Sequence, residues 1–231
     1  MATISILYDN HAQGDVRPGW GFSAWIRVGD ESVLFDTGAD KLVFEGNARA
    51  LGCNLSTVGV LALSHEHCDH VGAVSAVTRR GLRLLVPSAF ARRFGGLRKI
   101  GVELTAVKGP TQLCAGVKST GTFGRAIREQ ALLVEGSDGP ALVTGCAHAG
   151  IATVAEIATK LAQRPLALVV GGFHLFRSDE AEVRHAADQL LRLGVARIAP
   201  CHCTGDAAAG ILRDAFGNRF TEVAAGNRIE V

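Results

Sequence analysis

The stretch "SHEHCDHVGA", residues 64–73, places three of the chain's eight histidines within a few positions. They are His65, His67 and His70, and Asp69 directly precedes the last of them. Successive side chains of an extended segment point to opposite sides, so His65, His67 and Asp69 can face one way after the apolar run "VLALS". His70 then falls where a helix begins. The stretch therefore predicts two imidazoles for one metal ion, and an aspartate with an imidazole for a second.

Other zinc motifs are excluded by their spacing. "HEHCDH" is not H-E-x-x-H, because Asp69 stands where that motif needs its second histidine. "PCHC", residues 200–203, has no H-x-E partner of the kind that zinc deaminases carry. The chain also lacks a pair of C-x-x-C knuckles, so a zinc finger is not supported.

Length and composition predict one globular domain over residues 1–231. Hydrophobic residues make up 48% of the chain and charged residues 20%, which argues against extended disorder. The net charge of +2 is too small to indicate nucleic-acid binding, so no nucleic-acid partner is expected. The sequence contains no apolar run of about 18 residues and no leader at its start, so we expect no membrane partner and a cytoplasmic location.

The six cysteines are expected to be free thiols or metal ligands, because cytoplasmic proteins rarely contain disulfides. Four of them lie beside histidines: Cys68, Cys146, Cys201 and Cys203. Buried, inert thiols are the favoured interpretation. A redox or metal sensor built on these thiols is the alternative from another functional class.

The rest of the chain predicts helices packed over sheets. Three β-rich runs, "TISILY", "FSAWIRV" and "SVLFDTG", indicate an antiparallel opening sheet. Apolar strands then alternate with helical patterns, among them "VGAVSAVTRR", "SAFARRFGGL", "IATVAEIATKLA" and "DAAAGILRDAFG". The clearest helix is predicted over residues 178–193, with Gly194 placed to end it. The patterns on either side of residues 115–129 are compatible with two related halves.

The H-x-H-x-D-H pattern after an apolar strand resembles the signature of the metallo-β-lactamase superfamily. Further motifs follow in the order found in its dihydropterin ribofuranosylaminobenzene phosphate synthase-like branch: "YDN", "GFSAWI", "LFDTG", "EQALLV", "TGCAHAGI", "GGFHL" and "PCHCTG". This resemblance covers nearly the whole chain. It implies a mixed α/β (α+β) fold, a four-layer αββα sandwich with a metal centre at one edge of the two sheets.

The resemblance also implies two divalent metal ions, with zinc favoured and manganese or iron as alternatives. The ligands of the first ion would be His65, His67 and His148. Those of the second would be Asp69, His70 and His202. Cys146 stands where many members have a bridging aspartate, and it is the alternative to His148 as third ligand of the first ion.

Three more residues receive roles from the resemblance. Asp36, in "LFDTG", would orient the histidine loop, with an ordinary turn aspartate as the alternative. His174 would hydrogen-bond a substrate anion or bind metal, and a structural histidine is the alternative. Asn10, in "YDN", would lie near the substrate cleft, and a turn cap is equally compatible. His11 and His185 are predicted to be surface residues.

The chain departs from the usual motif at Glu66 and Cys68, which replace what is often a glycine and an aromatic residue. His148 also follows His70 at a short distance along the chain, which predicts a reduced pocket for a large pterin. Seven basic residues and no acid lie between Val71 and Gly101. These basic residues would form either a solvated helix face or a positive rim that steers a phosphorylated substrate.

The predicted function is therefore a metal-dependent enzyme with Asp69 as the catalytic base for an attacking water. Its substrate would be a small anionic molecule carrying phosphate or pyrophosphate, and the reaction either the branch's transfer or a phosphoester hydrolysis. Lactone or other ester hydrolysis is the alternative. An aspartic protease is excluded, because "LFDTGAD" has a single D-T-G and a single-chain protease of that class needs two. The sequence assigns no oligomeric state.

Overall fold

The computed structural model describes residues 2–231, which form thirteen strands and five α-helices. The strands are β1 (Ala2–Tyr8), β2 (Ser23–Val28), β3 (Glu31–Phe35), β4 (Val60–Ala62), β5 (Arg83–Pro87), β6 (Glu103–Val107), β7 (Thr111–Cys114), β8 (Val117–Ser119), β9 (Leu132–Glu135), β10 (Pro140–Thr144), β11 (Leu168–Gly172), β12 (Arg197–Cys201) and β13 (Arg228–Glu230). The α-helices are α1 (Lys41–Ala50), α2 (Cys68–Val71), α3 (Ile151–Ala162), α4 (Glu180–Arg192) and α5 (Asp206–Phe216). Short 3₁₀ helices cover Val74–Ala76, Ala91–Ile100, His202–Thr204 and Gly217–Arg219.

Two mixed sheets contain all the strands. The first has the order β13-β1-β2-β3-β4-β5-β6, and the second has the order β12-β11-β10-β9-β8-β7. In the first sheet β3, β4, β5 and β6 are parallel, whereas β1, β2 and β13 pair in antiparallel fashion. In the second sheet β10, β11 and β12 are parallel. The predicted antiparallel opening sheet is therefore confirmed.

Three hydrophobic cores separate four layers. One lies between the two sheets and includes Ile4, Ile26 and Val143. A second packs α1 and the 3₁₀ segments against the outer face of the first sheet through residues such as Phe44. The third packs α3, α4 and α5 against the second sheet, with Leu190 among its buried residues. The predicted αββα sandwich of mixed α/β class is confirmed.

The inner and outer faces of a strand follow its alternating sequence. In β2, Ala24 and Ile26 are fully buried between the sheets, while Arg27 is exposed. Ile4 of β1 pairs directly with Ile26, so the register places apolar side chains on the same face. A shift of one residue would reverse this arrangement.

The helix predictions succeed in the second half of the chain and fail in part of the first. α3, α4 and α5 occupy the predicted segments, and α4 begins with a capping box in which Asp179 accepts from the Glu182 backbone N–H. The segment "VGAVSAVTRR" is not a helix, because only Val74–Ala76 forms a 3₁₀ turn there. Gly72, just before that turn, lies so close to the Ala39 carbonyl that any side chain would clash.

Other differences concern single elements. "SAFARRFGGL" gives a 3₁₀ segment over Ala91–Ile100 rather than an α-helix, and α1 was not predicted. The side chain of Asp40 caps α1 by accepting from the Val43 backbone N–H at 2.9 Å. The chain passes from the first sheet to the second between Val107 and Thr111, upstream of residues 115–129, whose flanking patterns were compatible with two related halves. β13 then returns to the first sheet. Over residues 2–231 the helices are all too short or too polar to cross a bilayer.

Candidate metal centre

The predicted site residues gather at one edge of the sandwich, where parallel strands end. In the first sheet β1, β3 and β4 run in the same direction, and in the second sheet β10, β11 and β12 do. The residues that follow these strands are Asn10, Asp36, His65, Cys146, His148, His174 and His202. The carboxyl ends of parallel strands commonly form ligand sites, because loops from several strands meet there.

The three histidines predicted for the first metal lie together. The potential ligand atoms of His65, His67 and His148 are within 4.8 Å of one another. The ring centroids are separated by 4.5 Å for His65 and His67, by 4.7 Å for His65 and His148, and by 5.0 Å for His67 and His148. His65 is buried and His67 is exposed, so this group spans the depth of the site.

The three residues predicted for the second metal also form a group. Ligand atoms of Asp69, His70 and His202 lie within 4.8 Å of one another. The Asp69 Oδ2 atom is 3.4 Å from His202 Nε2 and 3.7 Å from His70 Nε2. The structure therefore brings both predicted sets together, and it places them side by side, since the rings of His65 and His70 have centroids only 4.2 Å apart.

Asp36 holds the loop that carries the first-half histidines. Its Oδ2 atom lies 2.7 Å from His70 Nδ1 and accepts from the Ser64 hydroxyl at 2.6 Å. Its Oδ1 atom accepts from the Ser64 backbone N–H at 2.6 Å. Because the single Ser64 hydroxyl proton goes to Asp36, the contact of 2.8 Å between Ser64 Oγ and His65 Nδ1 requires His65 to donate. This geometry matches the orienting role predicted for Asp36.

The second-half histidines have separate partners. His148 Nδ1 lies 3.2 Å from Glu129 Oε2, and the other oxygen of Glu129 accepts from the Ala149 backbone N–H at 2.9 Å. His202 Nδ1 lies 3.1 Å from Asn10 Oδ1, and Asn10 Nδ2 donates to the His202 carbonyl at 2.9 Å. Carboxylate and amide oxygens only accept, so both histidines carry their proton on Nδ1.

The Nδ1 contacts therefore leave the Nε2 lone pairs of four histidines directed into the site. His65 Nε2 is buried and has no hydrogen-bond partner. His70 Nε2 and His202 Nε2 face each other at 3.2 Å, which is unfavourable for two bare lone pairs unless a cation or proton lies between them. Imidazoles whose outer nitrogen donates to a carboxylate or carbonyl are the usual ligands of zinc and similar ions. The donor set fits divalent metal.

Burial and neighbouring charges change the protonation of these groups. Burial, reinforced by the adjacent histidines, holds the pKa of His65 well below its usual value, so its imidazole is neutral. Burial would also lower the pKa of His70, but the Asp36 carboxylate outweighs it and raises that pKa. For Asp69 burial acts upward, yet the hydrogen bond and charge of His202 and the charge of His70 keep its pKa below the ordinary range. Asp69 is therefore an anion.

Cys146 lies between the two groups. Its Sγ atom is 3.1 Å from His70 Nε2, and it shares possible ligand clusters with His65 and His70, with His202 and Cys203, and with His148 and His174. Burial, together with the neighbouring Cys203, raises the pKa of the Cys146 thiol well above its usual value. Cys146, the alternative ligand, therefore lies close to members of both candidate ligand sets. All six cysteines are free.

His174 and Asn10 occupy different positions relative to the centre. His174 is exposed beside the first ligand set, with its ring centroid 4.3 Å from that of His148. Asn10 is bound at both ends of its amide by His202 and also accepts from the Gly21 backbone N–H at 3.3 Å. These contacts give Asn10 a role in holding His202, while its predicted contact with substrate stays a prediction. His11 and His185 are exposed, as predicted.

Backbone strain is concentrated at the same edge. Among the residues that the structure describes, the non-glycine residues with positive φ are Asp36, Ala147, His174 and His202, together with Gln163 at the end of α3. Such conformations cost about 1–3 kcal/mol each and persist where the surrounding structure enforces them. Four of these positions follow strand ends at the candidate centre, so the strained backbone is concentrated where the loops of the centre leave their strands.

Sequence reasoning missed Asp9, Ser64 and Glu129. All three are buried polar residues, and each bonds a residue of the centre. Asp9 accepts from the His202 backbone N–H at 2.7 Å and from the His11 backbone N–H at 3.1 Å. The available signal was their place inside quoted motifs, since Asp9 belongs to "YDN" and Glu129 opens "EQALLV".

The basic stretch of the first half contributes mainly to structure. Arg79, Arg83 and Arg98 donate to backbone carbonyls elsewhere in the fold. Arg93 differs, because its Nη1 atom donates to the Glu66 carbonyl at 2.9 Å within the histidine loop. One of the seven basic residues therefore sits against the centre.

Comparison with known proteins identifies relatives of the chain. Residues 16–82 match the family model described as the metallo-beta-lactamase superfamily. A 7,8-dihydropterin-6-methyl-4-(beta-D-ribofuranosyl)-aminobenzene-5'-phosphate synthase of Methanocaldococcus jannaschii is 24% identical over 98% of this chain and 96% of its own length. An uncharacterized protein of the same organism is 26% identical over 87% of this chain and 90% of its own.

A solved structure is similar throughout. The crystal structure of a metal-dependent hydrolase of the beta-lactamase superfamily is 26% identical, with a TM-score of 0.82 over 100% of this chain and 99% of the other. The structure of an enzyme described as a diphosphatase has a TM-score of 0.65 at 13% identity, a likeness of fold alone. The predicted fold and the resemblance on which it rested are confirmed.

Proposed function

Since the chain has the metallo-β-lactamase fold and resembles that superfamily's synthase-like branch in sequence, we propose that it is a dinuclear metal-dependent enzyme. Its proposed substrate is a small anionic molecule that carries phosphate or pyrophosphate. The whole chain, residues 1–231, would act as one domain, in the cytoplasm. The oligomeric state is left unassigned.

The observation that carries this proposal is the pair of adjacent ligand sets with inward Nε2 atoms. His65, His67 and His148 would hold one ion. Asp69, His70 and His202 would hold the other. Metal ligands are usually fixed by hydrogen bonds on their outer side, and four of these histidines have such a bond already.

When bound, two such ions polarise phosphoryl oxygens and lower the pKa of water, with zinc proposed and manganese or iron as alternatives. Asp69 would orient the attacking water and accept its proton, since its carboxylate is an anion at the partly exposed floor of the site. Asp36 and Glu129 would keep His70 and His148 in the tautomer that leaves Nε2 free.

Cys146 has a defined place in this proposal. His148 is proposed as the third ligand of the first ion, because a neutral imidazole binds without losing a proton. The Cys146 thiol would have to ionise against its raised pKa. It stays the alternative ligand, since its sulfur lies near members of both sets.

The phosphate part of the proposal is supported by the synthase from Methanocaldococcus jannaschii, whose name contains a phosphate ester. His174 would contact the anionic group, because it is exposed next to His148. Arg93, which donates to the Glu66 carbonyl of the histidine loop, would supply positive charge beside the centre. In hydrolysis water would attack a polarised phosphoryl group, whereas in the transfer a polarised diphosphate would depart as the leaving group, and both reactions belong to the proposal.

Metal analysis combined with a substrate screen tests the proposed function. Protein loaded with zinc, manganese or ferrous iron is assayed on phosphoesters, pyrophosphates and lactones, with a chelator-treated sample as control. We expect metal-dependent turnover of a phosphorylated compound. Turnover of lactones or other esters alone would favour that alternative. Metal binding without turnover, accompanied by metal-dependent thiol reactivity, would favour a sensor.

A further inference from the structure

Aromatic rings form a continuous arc across the mouth of the metal centre. The ring centroid of His174 is 4.3 Å from that of His148 and 5.4 Å from that of Phe176. Phe176 lies 6.1 Å from Trp20, which lies 5.2 Å from His202. The arc thus connects a proposed ligand of the first ion to one of the second.

The two middle members of the arc are unusually exposed. Trp20 is 54% exposed and Phe176 is 41% exposed, although aromatic side chains of this size are normally largely buried. Over residues 2–231 the other exposed large hydrophobic residues are Leu42 and Ile100, which belong to α1 and to a 3₁₀ segment away from the arc. Adjacent exposed aromatics beside a candidate site indicate a ligand surface.

Trp20 and Phe176 also line a cavity of about 570 Å³. Its wall includes His202 and Phe220, so the cavity borders the second ligand set. A volume in the range of roughly 300–1,000 Å³ is typical of small-molecule sites. The space is larger than a phosphate alone requires.

The charges of the cavity wall are already paired. Arg213 contacts Glu222 at 3.1 Å, and His11 contacts Asp206 at 3.0 Å. These pairs leave the described part of the wall without a free cation for an anionic group. By contrast, the exposed Arg177 lies outside the cavity wall, with its guanidinium 5.1 Å from the Phe176 ring centroid. The cavity therefore favours an uncharged ring. The outer side of the arc, where Arg177 lies, favours an anionic group.

We propose that the cavity binds an aromatic ring system of the substrate, stacked on Trp20 and Phe176, while the phosphate of the same molecule reaches the metal centre. Trp20 and Phe176 are then the residues that select aromatic over aliphatic phosphates. The phosphate end of this inference rests on the proposed function, whereas the ring site does not need bound metal.

Two phosphonates, which a phosphoesterase does not hydrolyse, measure the aromatic contribution. Binding of 1-naphthylmethylphosphonate and of methylphosphonate is compared on metal-loaded protein by calorimetry. We expect the naphthyl compound to bind at least roughly ten times more tightly, the size of a good stacking contact. Trp20→Leu with Phe176→Leu should remove most of this advantage, measured as the ratio of the two affinities. The control Leu42→Ala, which also removes exposed apolar surface, should change neither affinity.

A neutral ring tests the cavity without phosphate. The chain has two tryptophans, so the indole N–H signals of Trp20 and Trp25 can be assigned with Trp20→Phe. We expect 1-naphthylmethanol to shift the Trp20 signal and not that of Trp25, in loaded and chelator-treated protein alike.

The two experiments distinguish a failure of the ring site from a failure of the proposed function. Equal affinity of the two phosphonates, or an aromatic advantage that survives both leucine substitutions, would overturn the ring site even if methylphosphonate binds through metal. A Trp20 shift with naphthylmethanol, while neither phosphonate binds in a metal-dependent way, would keep the ring site and contradict the proposed function.

Discussion

The two halves of the molecule supply the candidate centre in different ways. The first sheet contributes His65, His67, Asp69 and His70 from one loop after β4. The second sheet contributes His148 after β10 and, further along, one histidine after each of β11 and β12. Contiguous ligands can be found from spacing alone, whereas dispersed ligands require the fold. The two halves also differ in how their histidines are held, because the first-half loop depends on the carboxylate of Asp36, whereas His148 and His202 have separate partners, Glu129 and Asn10.

The largest effect is expected at Asp69, the one carboxylate proposed as both ligand and base. Asp69→Asn should lower turnover by roughly two to four orders of magnitude, since it removes the proton acceptor. The fold should persist, because asparagine has nearly the same size and the carboxylate contacts His70 and His202 of the candidate centre itself. Turnover on the substrate found by the screen and circular dichroism measure the two outcomes. Unchanged turnover would remove Asp69 from the chemistry.

The second-largest effect is expected at His148, which is compared with Cys146 of the same motif, "TGCAHAG". His148→Ala should weaken metal binding strongly, because it removes a ligand of the first set. Cys146→Ala should weaken it much less. Metal affinity is measured by competition with a chromogenic chelator, and His185→Ala on the exposed face of α4 is the matched control. A large loss for Cys146→Ala with little for His148→Ala would reverse the assignment and indicate a sulfur-ligated centre.

A smaller effect on metal affinity is expected when the residues that hold the histidines in place are changed. Asp36→Asn should reduce affinity at both ions by about 10–100-fold, because Asp36 orients His70 directly and His65 through Ser64. Glu129→Gln should reduce affinity only at the ion bound by His148, by a similar factor. Stepwise metal titration followed by calorimetry separates the two ions. Asp138→Asn and Glu135→Gln are exposed controls. Identical titrations for the two variants would contradict the difference in support.

The smallest effect concerns the thiols. Cys68 is exposed in the histidine loop and should react readily with an alkylating reagent at pH 8. Burial raises the pKa of Cys53 to about 12, so it stays protonated at that pH and should react far more slowly. Mass spectrometry of partially alkylated protein gives both rates. Comparable rates at the two cysteines would contradict the burial, and strong acceleration on metal removal would support the sensor alternative.

Much of the centre could be predicted from the sequence because its first half is local. The alternation of an extended segment accounts for His65 and His67, but the helix expected at His70 begins two residues earlier, at Cys68. Asp69 therefore lies in α2, and its carboxylate groups with His70 and His202 instead of His65 and His67. The candidate ligands in the second half of the chain were predicted from the resemblance to the superfamily. Nothing in the spacing of His148 and His202 shows that their strands end at the same edge, because strand order is a property of the whole sheet.

The features that could not be predicted depend on tertiary packing. Glu129 is a single buried carboxylate in a loop, and only the fold shows that it contacts His148. The helix expected over "VGAVSAVTRR" was wrong, since the backbone N–H groups of Gly72 and Ala73 donate to the Gly38 carbonyl and to Thr37 Oγ1 instead of to a helix. Local patterns thus identified the candidate metal ligands better than the residues that hold those ligands in place.

Metal stoichiometry tests the central claim most directly. Protein is saturated with zinc, freed of excess ion on a desalting column, and analysed for metal and for protein concentration by amino-acid analysis. Because each of the two adjacent candidate sets offers three ligand atoms within 4.8 Å of one another, we predict about two ions per chain for the wild-type protein and about one for His148→Ala. A wild-type protein that holds a single ion at saturation would contradict the dinuclear centre.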